Sequence, residues 1–452
     1  MNDHSAVAET QRCLGNIERF DGEVNAFISV LTDSALAEAE RDDAAFKNGD
    51  GRGLLAGVPI SVKDCIDVAG VRCTNGTRFF EDYVPESDAL IVDRLRRAGA
   101  VIVGKTNLHE FAYGSTTQNP HYGPTRNPWD LERIPSGSSG GAGASVAAEM
   151  CVGAVGSDTG GSVRTPAALN GVTGLRPSMG SIPMTGSFTR ICPAIDTVGP
   201  LGNSVEVVAR MFAVMSGYDD EDIYSVRHTW PDFLSRMSED LTGVRIGVPR
   251  RFFLENLESG VGEAVEQGAE QLAGLGAQLL EIELPSADTA HASVMPMVWA
   301  DAYEYHRERA EERPELFGED VLARILLGRD VSGRDYAAAL RAREHWNRVV
   351  QRAMETVDVI LTPTSPVTAP LIEDSADMLS ITHHITRFTY LFSWAGMPGL
   401  SVPCGFTSAG MPIGMLLNSR PFGEGLLMRI GAAYQRGSSW HLQRPGLLTS
   451  AT

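Results

Sequence analysis

The chain has 452 residues and a formal charge of −19, with 43% hydrophobic and 21% charged residues. That size allows one large core or two or three modest domains. The acidic balance argues against a nucleic-acid partner, which needs a concentrated basic face, and the absence of any apolar run of about 18 residues argues against a membrane span.

Residues 1 to about 50 read as helical and amphipathic, with Leu31, Ala35 and Ala39 at helical spacing. The start, Met1-Asn2-Asp3-His4, is polar and does not resemble a signal peptide. Gly51 and Gly53 punctuate the way into the next section. Val58, Ile60 and Val62 alternate as in a strand, which places Ser61 and Lys63 together on its other face. Ser87 is a candidate cap for a helix carrying Leu90, Ile91 and Leu95 that ends at Gly99, and residues 100–103 follow as a short apolar strand. Residues 140–150 read as a helix, 152–155 as a buried strand, and the loop 158–162 leaves its C-terminal end, where sites form in α/β sheets. Further strands are predicted at 244–249, 279–284, 357–361 and 400–404, a helix near 261–275, and mainly helical structure over 287–356. The pattern predicts an α/β fold with a largely buried sheet, built as one compact unit with a helical insertion at 287–356.

The six cysteines, Cys13, Cys65, Cys73, Cys151, Cys192 and Cys404, are scattered. They form neither a C-x-x-C pair nor a zinc-spaced cluster, so free thiols in a reducing cytoplasm are expected. No metal and no cofactor is expected; the adjacent pair His383-His384 lacks a carboxylate cluster beside it.

Three segments carry chemistry: Lys63 in Val58-Pro59-Ile60-Ser61-Val62-Lys63-Asp64, the loop Ser136-Gly137-Ser138-Ser139-Gly140-Gly141, and the loop Asp158-Thr159-Gly160-Gly161-Ser162-Val163-Arg164. Serine is a weak nucleophile until a base takes its proton and donors stabilise the oxyanion it creates. A lysine can be that base, a second serine can relay the proton, and Gly-Gly backbone can supply the donors. Other motif matches fail on context. Gly99 to Thr106 fits the P-loop pattern, but its four intervening residues are the strand itself, so their amides are spent in a sheet. Ser139 sits in a G-x-S-x-G match without the apolar strand that a nucleophile elbow requires. Asp158-Thr159-Gly160 lacks the second carboxylate loop of an aspartic protease.

Together, Lys63, the Gly-Ser-Ser-Gly-Gly loop and the Asp-Thr-Gly-Gly-Ser loop resemble the amidase signature family, in order and in the 24-residue spacing from Ser138 to Ser162. The resemblance is dense over 54–202 and continues in Ala395-Gly396-Met397-Pro398, Ser401-Val402-Pro403 and residues 410–414. It implies the amidase-signature fold, a mixed central β-sheet flanked by helices on both faces, as a single domain over 1–452. It also implies a triad of Ser162 as nucleophile, Ser138 as relay, joined to Gly137 by a cis peptide, and Lys63 as base. The oxyanion hole falls on Thr159, Gly160, Gly161 and Ser162; Arg164 and Asp196 are read as supporting residues or equally as a structural salt bridge or cap, and Ser139 as a helix cap in preference to a supporting residue. Three departures stand out: Ser136 where glycine is usual, Leu175-Arg176-Pro177-Ser178 for Leu-Lys-Pro-Thr, and Gly180-Ser181-Ile182-Pro183 for Gly-Arg-Val-Ser. Pocket walls are expected around Tyr113, Phe188 to Cys192 and 295–345.

The implied activity is an amidohydrolase cleaving a small carboxamide or urea-like C–N bond. Its expected partners are that substrate and water, with no direct nucleic-acid contact, no membrane and room for a homo-oligomer. The alternatives are the glutaminase (A) subunit of a tRNA-dependent amidotransferase, whose partner subunits would hold the tRNA, and a nucleotide-binding protein using Gly99 to Thr106.

Overall fold

The computed structural model describes residues 5–48, 53–187 and 191–449. Met1 to His4, Gly51 and Phe188 lie outside the described residues.

Among the described residues the core is one mixed sheet of 11 strands, with β4 (Gln118–Asn119) and β5 (Gly123–Pro124) forming a separate small ribbon. The large sheet contains β1 (Phe27–Val30), β2 (Pro59–Lys63), β3 (Val101–Thr106), β6 (Gly153–Asp158), β7 (Thr173–Arg176) and β8 (Thr197–Gly202). Its remaining strands are β9 (Arg245–Pro249), β10 (Gln278–Ile282), β11 (Val359–Pro363), β12 (Gly399–Phe406) and β13 (Pro412–Ser419). Their spatial order is β1-β3-β2-β6-β8-β7-β12-β13-β11-β9-β10. The strand β2 runs parallel to both β3 and β6. The middle of the sheet, from β6 through β8, β7, β12 and β13 to β11, is antiparallel at every step. Every residue of β2, β3, β6, β8 and β11 is buried, as helices on both faces require.

Two short helices complete the centre. Gly140–Ala147 and Arg164–Leu169 are buried along their whole lengths. The small side chains of the first let it lie close to the strands, so the Ala- and Gly-rich stretch from Ala142 onward is interior.

Several expectations need correction. The first 50 residues are two helices, Ala6–Val24 and Thr32–Lys47, separated by β1. Asn25 ends the first helix in the left-handed region at φ 53°, a position asparagine tolerates. Ser87 does not cap the next helix, Leu90–Arg97, whose N-cap is Ala89 with no side-chain bond. The strands β7, β8 and β13 were not anticipated, since Gly, Pro, Thr, Asn and Ser break up their apolar residues. The P-loop match is indeed strand β3, and its Lys105 is fully buried with Nζ 2.9 Å from Asp64 Oδ1.

Between β10 and β11 the chain is helical, as predicted: Ala287–Ser293, Met295–Glu312, Glu319–Leu326 and Gly333–Thr356. Ser332 and Asp335 form a capping box at the start of the last of these. That long helix is tied to the short helix Thr389–Trp394. Trp346 Nε1 donates to the Leu391 carbonyl at 2.8 Å, and Arg343 Nε donates to the Trp394 carbonyl at 2.7 Å. Trp346 is fully buried, so Trp346→Ala is expected to cost about 3–5 kcal/mol through cavity and lost contact. Denaturant titration of the two proteins checks this.

Candidate active site

Lys63 ends β2, and Ser157 lies on the adjacent parallel strand β6. The loop holding Ser138 and Ser139 runs into the helix Gly140–Ala147. These elements converge on a single amine. Lys63 Nζ is 2.7 Å from Ser138 Oγ, 2.8 Å from Ser157 Oγ and 3.0 Å from Ser139 Oγ, and Lys63, Ser138 and Ser139 are wholly buried.

One proton is fixed by these contacts. Ser139 Oγ donates to the Ser157 carbonyl at 3.1 Å, so towards Lys63 it only accepts. A neutral amine has two N–H bonds and one lone pair. Ser139 takes one N–H bond, and the other N–H bond and the lone pair fall to the Ser138 and Ser157 hydroxyls. Burial lowers the Lys63 pKa to about 8, against the smaller opposing pull of Cys65, Asp158 and Asp196. Ser139 occupies the N-cap position of its helix but makes no capping bond, so the cap reading does not hold.

The Gly137–Ser138 peptide is cis. The loop around it is fixed by its neighbours. Thr117 Oγ1 donates to the Ser136 carbonyl at 2.7 Å, and the His109 amide donates to the Ser138 carbonyl at 3.1 Å. Ser136 holds φ 66°, which explains why glycine is usual there; its hydroxyl donates to Thr165 Oγ1 at 3.0 Å.

The second loop leaves β6 and is organised by Asp158, which is fully buried. Asp158 Oδ1 is 2.8 Å from Arg164 Nη2 and 3.2 Å from Arg176 Nη1, and Oδ2 accepts from the Val163 amide at 3.1 Å. Burial pushes the Asp158 carboxyl up, but Arg164, Arg176 and that amide together outweigh it and hold it well below the usual carboxylate range. Arg176 also donates to the Asp158 carbonyl at 2.5 Å and to the Thr159 carbonyl at 3.4 Å, so one of the noted departures is built into this loop. Asp196 anchors the other side: Oδ1 accepts from Thr159 Oγ1 at 2.6 Å and Oδ2 from the Cys192 amide at 3.0 Å. Burial raises the pKa of Asp196 despite those bonds. A Cβ on Gly160 would run into the Tyr390 ring, and Gly161 sits at φ 146°, so neither position accepts a side chain.

Ser162 follows, half-buried, on a cavity of about 20 Å³ lined also by Tyr113, Thr159, Gly160, Arg324 and Tyr390. Its hydroxyl makes no hydrogen bond to Ser138 in this structure, and the amides of Gly160, Gly161 and Ser162 meet no protein acceptor among the described residues. Larger cavities, of about 750 and 730 Å³, hold none of these groups. Tyr113, Ile191 and Arg324 come from the three segments expected to form the walls; Phe188 is outside the described residues.

Sequence reasoning missed Ser157 and Arg324, and saw Asp158 only as part of a loop. Arg324 is 2% exposed in the helix Glu319–Leu326. Its guanidinium carbon lies 4.1 Å from the Tyr113 ring centroid and Nη1 donates to the Tyr113 carbonyl at 3.2 Å. Its Nε has no hydrogen-bond partner, and no carboxylate pairs with it among the described residues. Nothing in an Arg- and Glu-rich helical stretch singled it out. No group of three potential metal ligands occurs among the described residues; His383 lies against His291, with ring centroids 4.1 Å apart and the ring planes tilted by 49°.

Comparison with known proteins gives a consistent picture. The family model described as Amidase matches residues 8–428. A protein of Carboxydothermus hydrogenoformans, named as the A-type subunit of glutamyl-tRNA(Gln) amidotransferase, is 37% identical, over 98% of this chain and 96% of its own length. The solved structure of the like-named protein from Thermotoga maritima has a TM-score of 0.82 at 35% identity, covering 96% of this chain and 92% of its own. A structure described as a vestigial protein complex revealing the origins of an s-triazine catabolic enzyme has a TM-score of 0.90 at 33% identity, covering 96% and 95%. These relatives correct the expectation about partners. Proteins similar over nearly the whole chain are named as subunits of a tRNA-linked amidotransferase, so partners restricted to a small amide and water do not stand.

The Asp158 cluster makes a clear prediction about stability. Asp158→Ala strands two buried arginines and is expected to cost about 3–5 kcal/mol. A drop in denaturant midpoint at unchanged slope is the expected reading.

Proposed function

The chain belongs to the amidase family, and from that premise we propose that it releases ammonia from a carboxylate-bearing carboxamide of the glutamine class, as the glutaminase component of a tRNA-linked amidotransferase. One observation carries the substrate choice: Arg324, a buried guanidinium without a counter-ion among the described residues, on the same small cavity as Ser162. An isolated buried charge costs several kcal/mol, and a substrate carboxylate offsets that cost. The names of the similar proteins point the same way. With a net charge of −19, the basic surface that tRNA needs is expected on partner subunits.

In the proposed reaction Ser162 Oγ attacks the amide carbonyl while its proton passes to Ser138 and the Ser138 proton passes to neutral Lys63. The C–O bond forms, and the carbonyl π pair moves to oxygen, which the amides of Thr159, Gly160, Gly161 and Ser162 receive. Collapse breaks the C–N bond, and the proton returns through Ser138 to the leaving nitrogen, giving ammonia and an acyl-enzyme. Water enters by the same relay and frees the acid. Arg164 and Asp196 support the loop rather than touching the reacting atoms: Arg164 through Asp158, Asp196 through Thr159.

A second reading, hydrolysis of an anionic urea-like C–N bond, is favoured by the 0.90 TM-score with the s-triazine-related structure. Ammonia release from L-glutamine, urea-like acids and neutral amides, each assayed with the purified chain, separates the two; turnover of neutral amides alone removes both.

Three further outcomes are expected. Lys63 must be neutral to accept a proton, so kcat/KM should rise about tenfold per pH unit on the acid side and level off above about pH 8. Ser162→Ala should abolish turnover across that range. Arg324→Met should raise KM for L-glutamine by about 30-fold or more, the effect of removing one partner of a buried charge pair, while neutral amides lose little. Steady-state kinetics on paired substrates measures this.

A further inference from the structure

We propose that Thr389 is a positioning residue for the oxyanion hole, acting through the carbonyl of Gly160; this rests on the acyl-enzyme reading above. Thr389 opens the helix Thr389–Trp394, far in sequence from both serine loops. It is fully buried, and its Oγ1 donates to the Gly160 carbonyl at 2.6 Å. The Thr386 carbonyl lies further from that hydroxyl, at 3.2 Å, so Gly160 takes its one proton.

A trans peptide is planar, with its C=O and the following N–H pointing in opposite directions. Holding the Gly160 carbonyl on Thr389 therefore turns the Gly161 N–H the other way. That amide meets no protein acceptor among the described residues. Glycine needs such a restraint more than other residues, because no Cβ limits its rotation. The two neighbouring carbonyls are held in the same manner. Arg176 binds the Thr159 carbonyl, which directs the Gly160 N–H. The Thr165 amide, at 2.7 Å, and Thr165 Oγ1, at 3.0 Å, bind the Gly161 carbonyl, which directs the Ser162 N–H. Thr389 is the only member of this set that comes from the C-terminal third of the chain. Its place is secured in turn by Arg164, whose Nη1 donates to the Thr389 carbonyl at 3.1 Å while Nη2 donates to Ser393 Oγ at 2.6 Å.

The variants Thr389→Val, which keeps the shape, and Thr389→Ser, which keeps the hydroxyl, test the assignment beside Ser162→Ala. Two measurements avoid dependence on the natural substrate: the rate of covalent labelling by a fluorophosphonate and the Kd of a boronic acid that adds to the serine. Thr389→Val is expected to slow labelling about 10- to 100-fold, the range below loss of a whole oxyanion donor, and to weaken boronate binding by the same factor. KM for L-glutamine should stay within about twofold, and Thr389→Ser should stay within about threefold of the native protein throughout. A native labelling rate in Thr389→Val overturns the proposal, as does a Thr389→Ser protein as slow as the valine variant. Labelling that persists in Ser162→Ala instead overturns the acyl-enzyme reading beneath it.

Discussion

An amine removed from water governs this structure. Lys63 sits at the end of a strand buried on both faces, and that burial brings its pKa to about 8. A lysine so placed has to find hydrogen-bond partners in the protein, and three serine hydroxyls, two from one loop and one from a strand, supply them. The packing that isolates the amine also delivers Ser138 to it, so the proposed base and relay follow from one constraint. A solvated lysine would keep its proton and the same residues would form only a polar cluster.

The loop that carries Ser162 answers a different demand. Its glycines admit no side chains, and glycine backbone is loose unless something outside the loop restrains it. The fold supplies that restraint from the carbonyl side. Asp158 gathers two arginines, Arg176 reaches back to successive carbonyls, and the helix Thr389–Trp394 closes over the turn. The Asp158 cluster is costly to bury, yet every charge in it has a partner or a hydrogen bond, the condition under which such a cluster holds a shape.

Much of this could be read before any coordinates, and the exceptions have physical reasons. The segments holding Lys63, Ser138 and Ser162 stood out by their serines, lysine and glycine turns together with the family resemblance, and the structure brings Lys63 and Ser138 into contact. The strand β2 was legible because its apolar residues alternate. The strands β7, β8 and β13 were not, because Thr, Gly, Pro, Asn and Ser interrupt their apolar residues and leave neither an alternation nor a continuous apolar run. Ser157 was invisible for a related reason: one hydroxyl in a buried strand looks like any other until the neighbouring strand is known. Arg324 and Thr389 lie more than 150 residues beyond Ser162 and meet its loop only through the way the helical region packs on the sheet. Arg176 was noticed only as a departure from a pattern; its partner, Asp158, shows what the longer, forked side chain accomplishes.

The helices between β10 and β11 contribute Arg324 to the cavity and, among the described residues, none of the groups around Lys63. In the proposed reading, the arginine that selects the substrate and the residues that cleave it thus sit on separate stretches of polypeptide, although Tyr113, Ile191 and Tyr390 share the cavity wall. Sequence drift in those helices can retune which molecule is accepted while the hydrolytic apparatus is inherited intact. A lineage built this way is free to explore new diets without having to reinvent its chemistry.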